Sequence, residues 1–186
     1  MKKIALLAAF SLVLLAFNTN SINQGNQIVL GQTQADTTSP STAENTLKFD
    51  KYCNARFGYC IDYPHDVIFP QPESSNGDGR VFKNKQGHVV LTVFGRRNDS
   101  PDGGTISLEQ QFDDDLHSIA GENGNVVTYQ KLGKTFFVIS GYIKGKIFYQ
   151  KTILKEDAFA YAILDYSENE KSTFDKVSER IFKSFK

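Results

Sequence analysis

Histidine, cysteine and net charge are all scarce in this chain of 186 residues, and each shortage removes a class of function. Lys and Arg number 21 against 21 Asp and Glu, so formal charge is zero. A nucleic-acid binder needs a basic face to neutralise phosphates, and attachment to anionic lipid needs a basic cluster, so neither partner is expected. The densest run of one sign, Asp113-Asp114-Asp115, reads as a solvated helix face. The three histidines, His65, His88 and His117, are scattered over a turn, a strand and a helix. No His-x-x-His or His-Glu-x-x-His spacing exists to hold a metal, and no Gly-x-Ser-x-Gly marks a nucleophile. Ser140-Gly141, near the end of a buried strand, reads as small residues that pack there. His117, four positions after Asp113, reads as half of a surface pair. No catalytic residue, metal or cofactor is therefore assigned, and the chain is not expected to be an enzyme. Only a triad assembled from distant residues would change that.

Long apolar runs are equally scarce. The one example spans residues 4–17 behind Met1-Lys2-Lys3. About 14 residues suit the apolar region of a signal peptide and are short for crossing a bilayer. The expectation is a signal peptide over 1–21, with Thr19-Asn20-Ser21 as the small-x-small pattern and cutting before Ile22. Thr33-Gln34-Ala35 fits the residue rule better but lies far from the apolar run, and an uncleaved N-terminal anchor is the competing reading. No cysteine ends the run, so a lipid anchor is not indicated. The Met-Lys-Lys opening has a bacterial character, which places the product in the periplasm or outside the cell, without stable membrane insertion after cleavage. Losing Lys2 and Lys3 leaves acidic side chains two ahead.

Residues 22–46 are rich in Asn, Gln, Thr and Ser, with Ile28-Val29-Leu30 as the only apolar island. Such a segment buries too little surface to offset its ordering entropy, so a flexible leader is expected. From Leu47 the composition turns globular, giving one domain over 47–186 with enough length for a core. Strands are expected over 51–54 and 59–63 around a turn, then 80–83, 89–94, 126–132, 135–143, 146–155 and 159–166. Lys144-Gly145 and Glu156-Asp157 read as hairpin turns, which makes the last four strands an antiparallel meander. Ser107-Leu108-Glu109-Gln110 is a capping box, followed by Leu108, Phe112, Leu116 and Ile119 at helical spacing and closed by Gly121. A last helix is expected from Ser172, with Asp175 three residues on and Phe174, Val177, Ile181 and Phe185 on its buried face. Phe136 and Val138 oppose Phe137 and Ile139; Phe159, Tyr161 and Ile163 oppose Ala160, Ala162 and Leu164. A sheet apolar on both faces must be covered on both. The expected fold class is α+β, an α/β/α sandwich around a mostly antiparallel sheet.

Residues 52–80 are the most distinctive stretch. Cys53 and Cys60, the only cysteines, bracket Arg56-Phe57-Gly58 on the two arms of the first hairpin. In an exported protein the leading reading is a disulfide. Direct pairing sets the two opposite one another, whereas a bulge at Gly58 makes them diagonal neighbours. A metal site lacks further ligands nearby, and the spacing is not the Cys-x-x-Cys of a redox pair. Ser74 to Lys85 invites a calcium-loop reading through Asn76, Asp78 and Gly79, but Ser74 and Lys85 are wrong at the first and twelfth positions. Asn76-Gly77-Asp78-Gly79 reads instead as a tight turn.

The pattern Asn54-x-Arg56-Phe57-Gly58-Tyr59-x-Ile61-x-Tyr63-Pro64 resembles the opening hairpin of the PsbP-like superfamily. Thr135-x-Phe137-Val138-x-Ser140-Gly141, Phe148-Tyr149-x-Lys151 and the closing Ser184-Phe185 resemble its bacterial exported members over roughly 47–186. The resemblance implies the sandwich just described. It carries over no catalytic residues. It also implies an interaction role.

Arg56, Asp78, Arg80, Tyr149 and Lys151 are the polar residues that would form an anion- or partner-binding patch if they converge. The simpler account has Arg56 and Arg80 neutralising carboxylates such as Asp62 and Asp78. The functional expectation is a non-catalytic periplasmic protein that binds a protein partner or helps assemble an envelope complex. In its specific form it is an immunity protein or chaperone for a secreted effector. The sequence names neither the partner nor the oligomeric state. The alternatives are a small periplasmic hydrolase, which needs a deep pocket with a His or carboxylate dyad, and a small-ligand carrier, which needs an apolar cavity.

Overall fold

Residues 47–186 are described by the computed structural model; the expected signal peptide and leader lie outside the described residues. The elements follow in the order β1 (Phe49–Asn54), β2 (Tyr59–Pro64), β3 (Phe69–Pro70), β4 (Gly79–Lys83), β5 (Val89–Arg97), α1 (Leu108–Gly121), β6 (Val126–Leu132), β7 (Phe136–Ile143), β8 (Lys146–Leu154), β9 (Ala158–Tyr166) and α2 (Lys171–Ser184). β1 and β2 make a separate hairpin, and the other strands form one antiparallel sheet in the order β3-β4-β5-β9-β8-β7-β6. α1 carries the chain from β5 to the far edge, and the meander β6 to β9 returns until β9 pairs with β5. The Lys144-Gly145 turn has both residues at positive φ, 50° and 80°, the geometry that suits the twist of a two-residue hairpin.

Period-2 alternation divides the side chains between two cores. On one face, Leu91, Val93, Ala160, Ala162 and Leu164 meet Tyr52, Tyr59 and Ile61 of the hairpin and Phe174, Val177, Ile181 and Phe185 of the closing helix. On the other, Phe137, Ile139, Phe148, Phe159 and Tyr161 meet Leu108, Phe112, Leu116 and Ile119 of α1. The architecture is the α+β sandwich read from the sequence. Each large side chain so buried contributes roughly 1.5–3 kcal/mol.

α1 begins as expected, with Ser107 and Gln110 closing a reciprocal capping box. The start of α2 differs from the expectation. Ser167, not Ser172, leads into it, through a 3₁₀ turn over Glu168–Glu170 in which the Glu170 carboxylate accepts from the Ser167 hydroxyl at 2.5 Å and its N–H at 3.2 Å. Asp175 is already engaged, accepting from Tyr166 at 2.8 Å and Lys171 at 2.7 Å, so it is not available to cap. β3 was not expected at all; two residues, one of them Pro70, carry no readable alternation.

Cys53 lies directly opposite Cys60 and the two are joined in a disulfide. The backbone of Cys60 turns away from Cys53, donating to Lys186 C=O at 2.9 Å and accepting from Lys186 N–H at 3.2 Å. The cysteines are thus a non-hydrogen-bonded pair, whose Cα atoms approach closely, here to 4.1 Å. Ser184 Oγ accepts from Asp62 N–H at 2.7 Å, so the hairpin is fastened to the end of α2. The Arg-Phe-Gly turn has its own docking point. A Cβ at Gly95 on β5 would lie 2.3 Å from the Phe57 ring, so that space is open only because residue 95 is glycine.

Candidate functional site

A helix about 10 Å across covers roughly two strands spaced about 4.8 Å apart. On the disulfide side, α2 packs on β2 and β9, while α1 packs on β6 and β7 from the opposite side. The hairpin and α2 therefore cover β4, β5, β9 and part of β8. Among the described residues nothing covers β6 or the 140–142 end of β7 on that face, whereas Val138 of β7 is buried beside α2. The sheet is covered on both faces as expected, but on this one the cover stops short of β6. Val126 is 54 % exposed, Tyr129 50 % and Tyr142 43 %, and the register puts all three on this side.

Where the uncovered face meets α2 it forms a groove of about 400 Å³, with Phe136, Val138, Tyr149 and Phe182 as its apolar lining and Lys151, Glu179 and Lys183 as its charged groups. Alternation along β8 brings Tyr149 and Lys151 to the same face, as the sequence implied. The Tyr149 ring packs at 4.1 Å on Phe182. Lys151 Nζ donates to the Phe182 and Phe185 carbonyls at 2.7 and 3.0 Å, satisfying orphan groups at the C-terminal end of α2 and countering its dipole. Two of its three donors are thereby used. Burial pulls the Lys151 ammonium below its ordinary value and pushes the Tyr149 phenol up, with the Tyr129 phenol adding to the latter.

Arg56, Asp78 and Arg80 belong to a different neighbourhood. Arg80, Val93, Ala162 and Lys151 form one cross-strand row, so Arg80 and Lys151 share a face but stand about three strand spacings, roughly 14 Å, apart. Aromatic rings fill the interval. Arg80 lies 4.3 Å over Tyr52, whose ring meets Tyr59, which meets Phe185, whose carbonyl holds Lys151. Arg80 pairs with Glu73 at 3.6 Å rather than with Asp78. Arg56 donates to the Asn76 carbonyl, and Asp62 faces Lys51 and Arg180 instead. Asp78 accepts from Ser74 Oγ at 2.5 Å and Asn76 Nδ2 at 2.7 Å, which ties the Asn-Gly-Asp-Gly turn to itself. The five residues make two groups, not one patch.

A second polar cluster lies under α1, where the sequence suggested only solvent. Asp115, read as part of a solvated acidic run, points at the sheet. Its two oxygens accept from Gln111 and Gln150, each at 2.6 Å. Arg96 donates to Gln111 and, at 3.2 Å, to Tyr161. Burial raises the Asp115 carboxyl above its ordinary value, against the pull of both glutamines and Arg96. Burial also pushes the Tyr161 phenol up to about 12. The groups satisfy one another, which is how a buried polar network holds a helix in register. The cluster holds one carboxylate and no histidine. His65 stands between Asp50 and Asp66, and His88 and His117 are exposed. His117 Nδ1 contacts the Asp113 backbone carbonyl at 2.7 Å, not the carboxylate expected to pair with it. Among the described residues no group of acidic, His or Cys side chains is arranged for a metal.

The residues that reasoning from sequence missed are Val126, Tyr129, Lys131 and Tyr142. A signal was present: two amphipathic segments of 14 residues each are too few to cover both faces of a seven-stranded sheet.

No protein-family model matches the chain. No curated protein matches it either. Among solved structures it is similar to cyanobacterial PsbP (CyanoP) from Synechocystis sp. PCC 6803, a solution structure, with a TM-score of 0.53 and 11 % identity over 77 % of this chain and 95 % of that one. At that identity the likeness is one of fold, and the fold is PsbP-like.

Proposed function

We propose that this chain is an exported, non-catalytic protein that binds a protein partner through the uncovered face of β6, β7 and β8. The observation that carries the reading is the exposed Val126, Tyr129 and Tyr142 beside the groove at Tyr149 and Phe182. A contiguous apolar face of this kind is characteristic of an interaction surface. The disulfide fits an oxidising compartment, as export to the periplasm requires. Help in assembling an envelope complex, or an immunity or chaperone role, are forms of the same binding. A hydrolase reading is less favoured, because Asp115, whose carboxyl burial raises, is held by Gln111 and Gln150 and has no histidine or second carboxylate among its hydrogen-bond partners.

Affinity capture from a bacterial envelope extract tests this with two baits, the natural chain and a Tyr129→Glu, Tyr142→Glu variant. Both substituted positions are about half exposed, so the fold is expected to stand. The expected result is a species held by the natural chain and lost by the variant. Equal recovery by both baits contradicts the site, and recovery of nothing contradicts the reading.

A further inference from the structure

Among the described residues the uncovered face borders a free strand edge, and the two edges of the sheet are unlike. The β3 edge is two residues long and contains Pro70, which has no N–H to offer a neighbouring strand. The β6 edge is seven residues long and has no proline. Its irregularity is confined to the start, between Val127 and Tyr129, and the remainder is regular. Gly133 N–H donates to Phe136 C=O at 2.8 Å. Counting back from that turn in antiparallel alternation, Lys131 and Tyr129 are bonded to β7, while the N–H and C=O of Gln130 and Leu132 point outward.

The charge beside this edge has one sign in excess. Lys131 lies in the same cross-strand row and on the same face as Lys151, and Lys183 lines the groove beyond. Among the described residues none of these three is in an ion pair. Among the described residues Glu179 is the only acid lining the groove.

We propose that β6 accepts an extended, acidic segment of a partner protein as an additional strand. This rests on the partner-binding reading above and names the partner's chemistry. Backbone pairing at Gln130 and Leu132 supplies affinity. Apolar side chains of the segment lie beside Tyr129. Its carboxylates face Lys131 first, with Lys183 and the remaining N–H of Lys151 adding positive potential from the groove. Strand addition reads alternate side chains, so the preferred segment carries an acidic and an apolar residue two positions apart, both on the face of Tyr129 and Lys131, and avoids proline. A second copy of this chain is a weaker occupant, because centring the pair on Lys131 sets two lysines opposite one another.

Random segments of about ten residues, selected on the immobilised full chain, test the proposal. The selected pool is expected to be rich in Asp and Glu placed two positions from an apolar residue. The best binder is expected to lose about tenfold in affinity on the Lys131→Glu, Lys183→Glu variant. N-methylation of its amides in one alternate phase should abolish binding, and in the other phase should leave it nearly unchanged. A pool without acidic bias, indifference to charge reversal, equal effects of both methylation phases, or failure to select any binder each overturns the proposal. A concentration-dependent dimer in sedimentation that the peptide dissolves would make a second copy the occupant and overturn it as well. If any of these occurs while the Tyr129→Glu, Tyr142→Glu bait still loses its captured species, the partner-binding reading stands and only the strand-addition proposal fails.

Discussion

Phe185→Ala is expected to lower the unfolding free energy by about 3–5 kcal/mol, the range for truncating a buried aromatic ring. Phe185 is 1 % exposed and packs edge-on to Tyr59, ring centroids 5.8 Å apart. Three attachments converge on this end of the chain. The Phe185 carbonyl accepts from Lys151 at 3.0 Å, Lys186 pairs with the backbone of Cys60, and Ser184 Oγ accepts from the Asp62 N–H. Removing the ring leaves a cavity where helix, hairpin and β8 meet, so the loss belongs at the upper end of the range. Urea unfolding of the two forms reads it as a lower midpoint with an unchanged slope. Phe69→Ala, at a ring 40 % exposed on the short edge strand, is the control and should shift stability by about 0.5 kcal/mol or less. A loss below about 1 kcal/mol for Phe185→Ala would mean that α2 is not fastened as described.

The second large effect concerns the disulfide. Cys53 and Cys60 are seven positions apart, and in the chain-entropy model closing so short a loop contributes about 2.5 kcal/mol. The Cys53→Ser, Cys60→Ser double variant should lose about that much stability and become indifferent to reductant. The natural chain should lose the same amount when reduced. The hairpin keeps its hold through Tyr52, Tyr59 and Ile61 in the core, so the variant is expected to remain folded. Unfolding of both forms with and without reductant separates the outcomes. A natural chain whose stability ignores reductant would count against the bond's role.

Local signals carried most of the fold. Ser107 with Gln110, the alternation along β7 and β9, and the two-residue turns each specify geometry within a few positions, so those elements were legible. The hairpin register was legible only in part, because direct and bulged pairings of Cys53 and Cys60 differ by where Lys186 binds, more than a hundred residues away in sequence. Asp115 was misread for a related reason. Its burial depends on Gln150, 35 positions distant, arriving beneath α1. Ser172 satisfied a local rule, but Tyr166 had already engaged the carboxylate that the rule needs. The candidate site was half legible. Tyr149 and Lys151 are found together because they share a strand face. Arg56, Asp78 and Arg80 were grouped with them by residue type, and only the sheet order reveals the row of aromatic rings between. Tyr129 and Tyr142 stand out only once α2 is known to lie over β2 and β9, with α1 on the opposite face of β6 and β7.

The proposed function stands on a partner docking at the β6–β7 face on the α2 side. Site-specific photocrosslinking in the living cell tests it most directly, with a photoreactive residue placed at Tyr129, at Tyr142, or at Glu109 on the exposed side of α1. The account predicts one common crosslinked species from positions 129 and 142 and none from 109. Crosslinks of equal yield from all three positions, or from 109 alone, would contradict it.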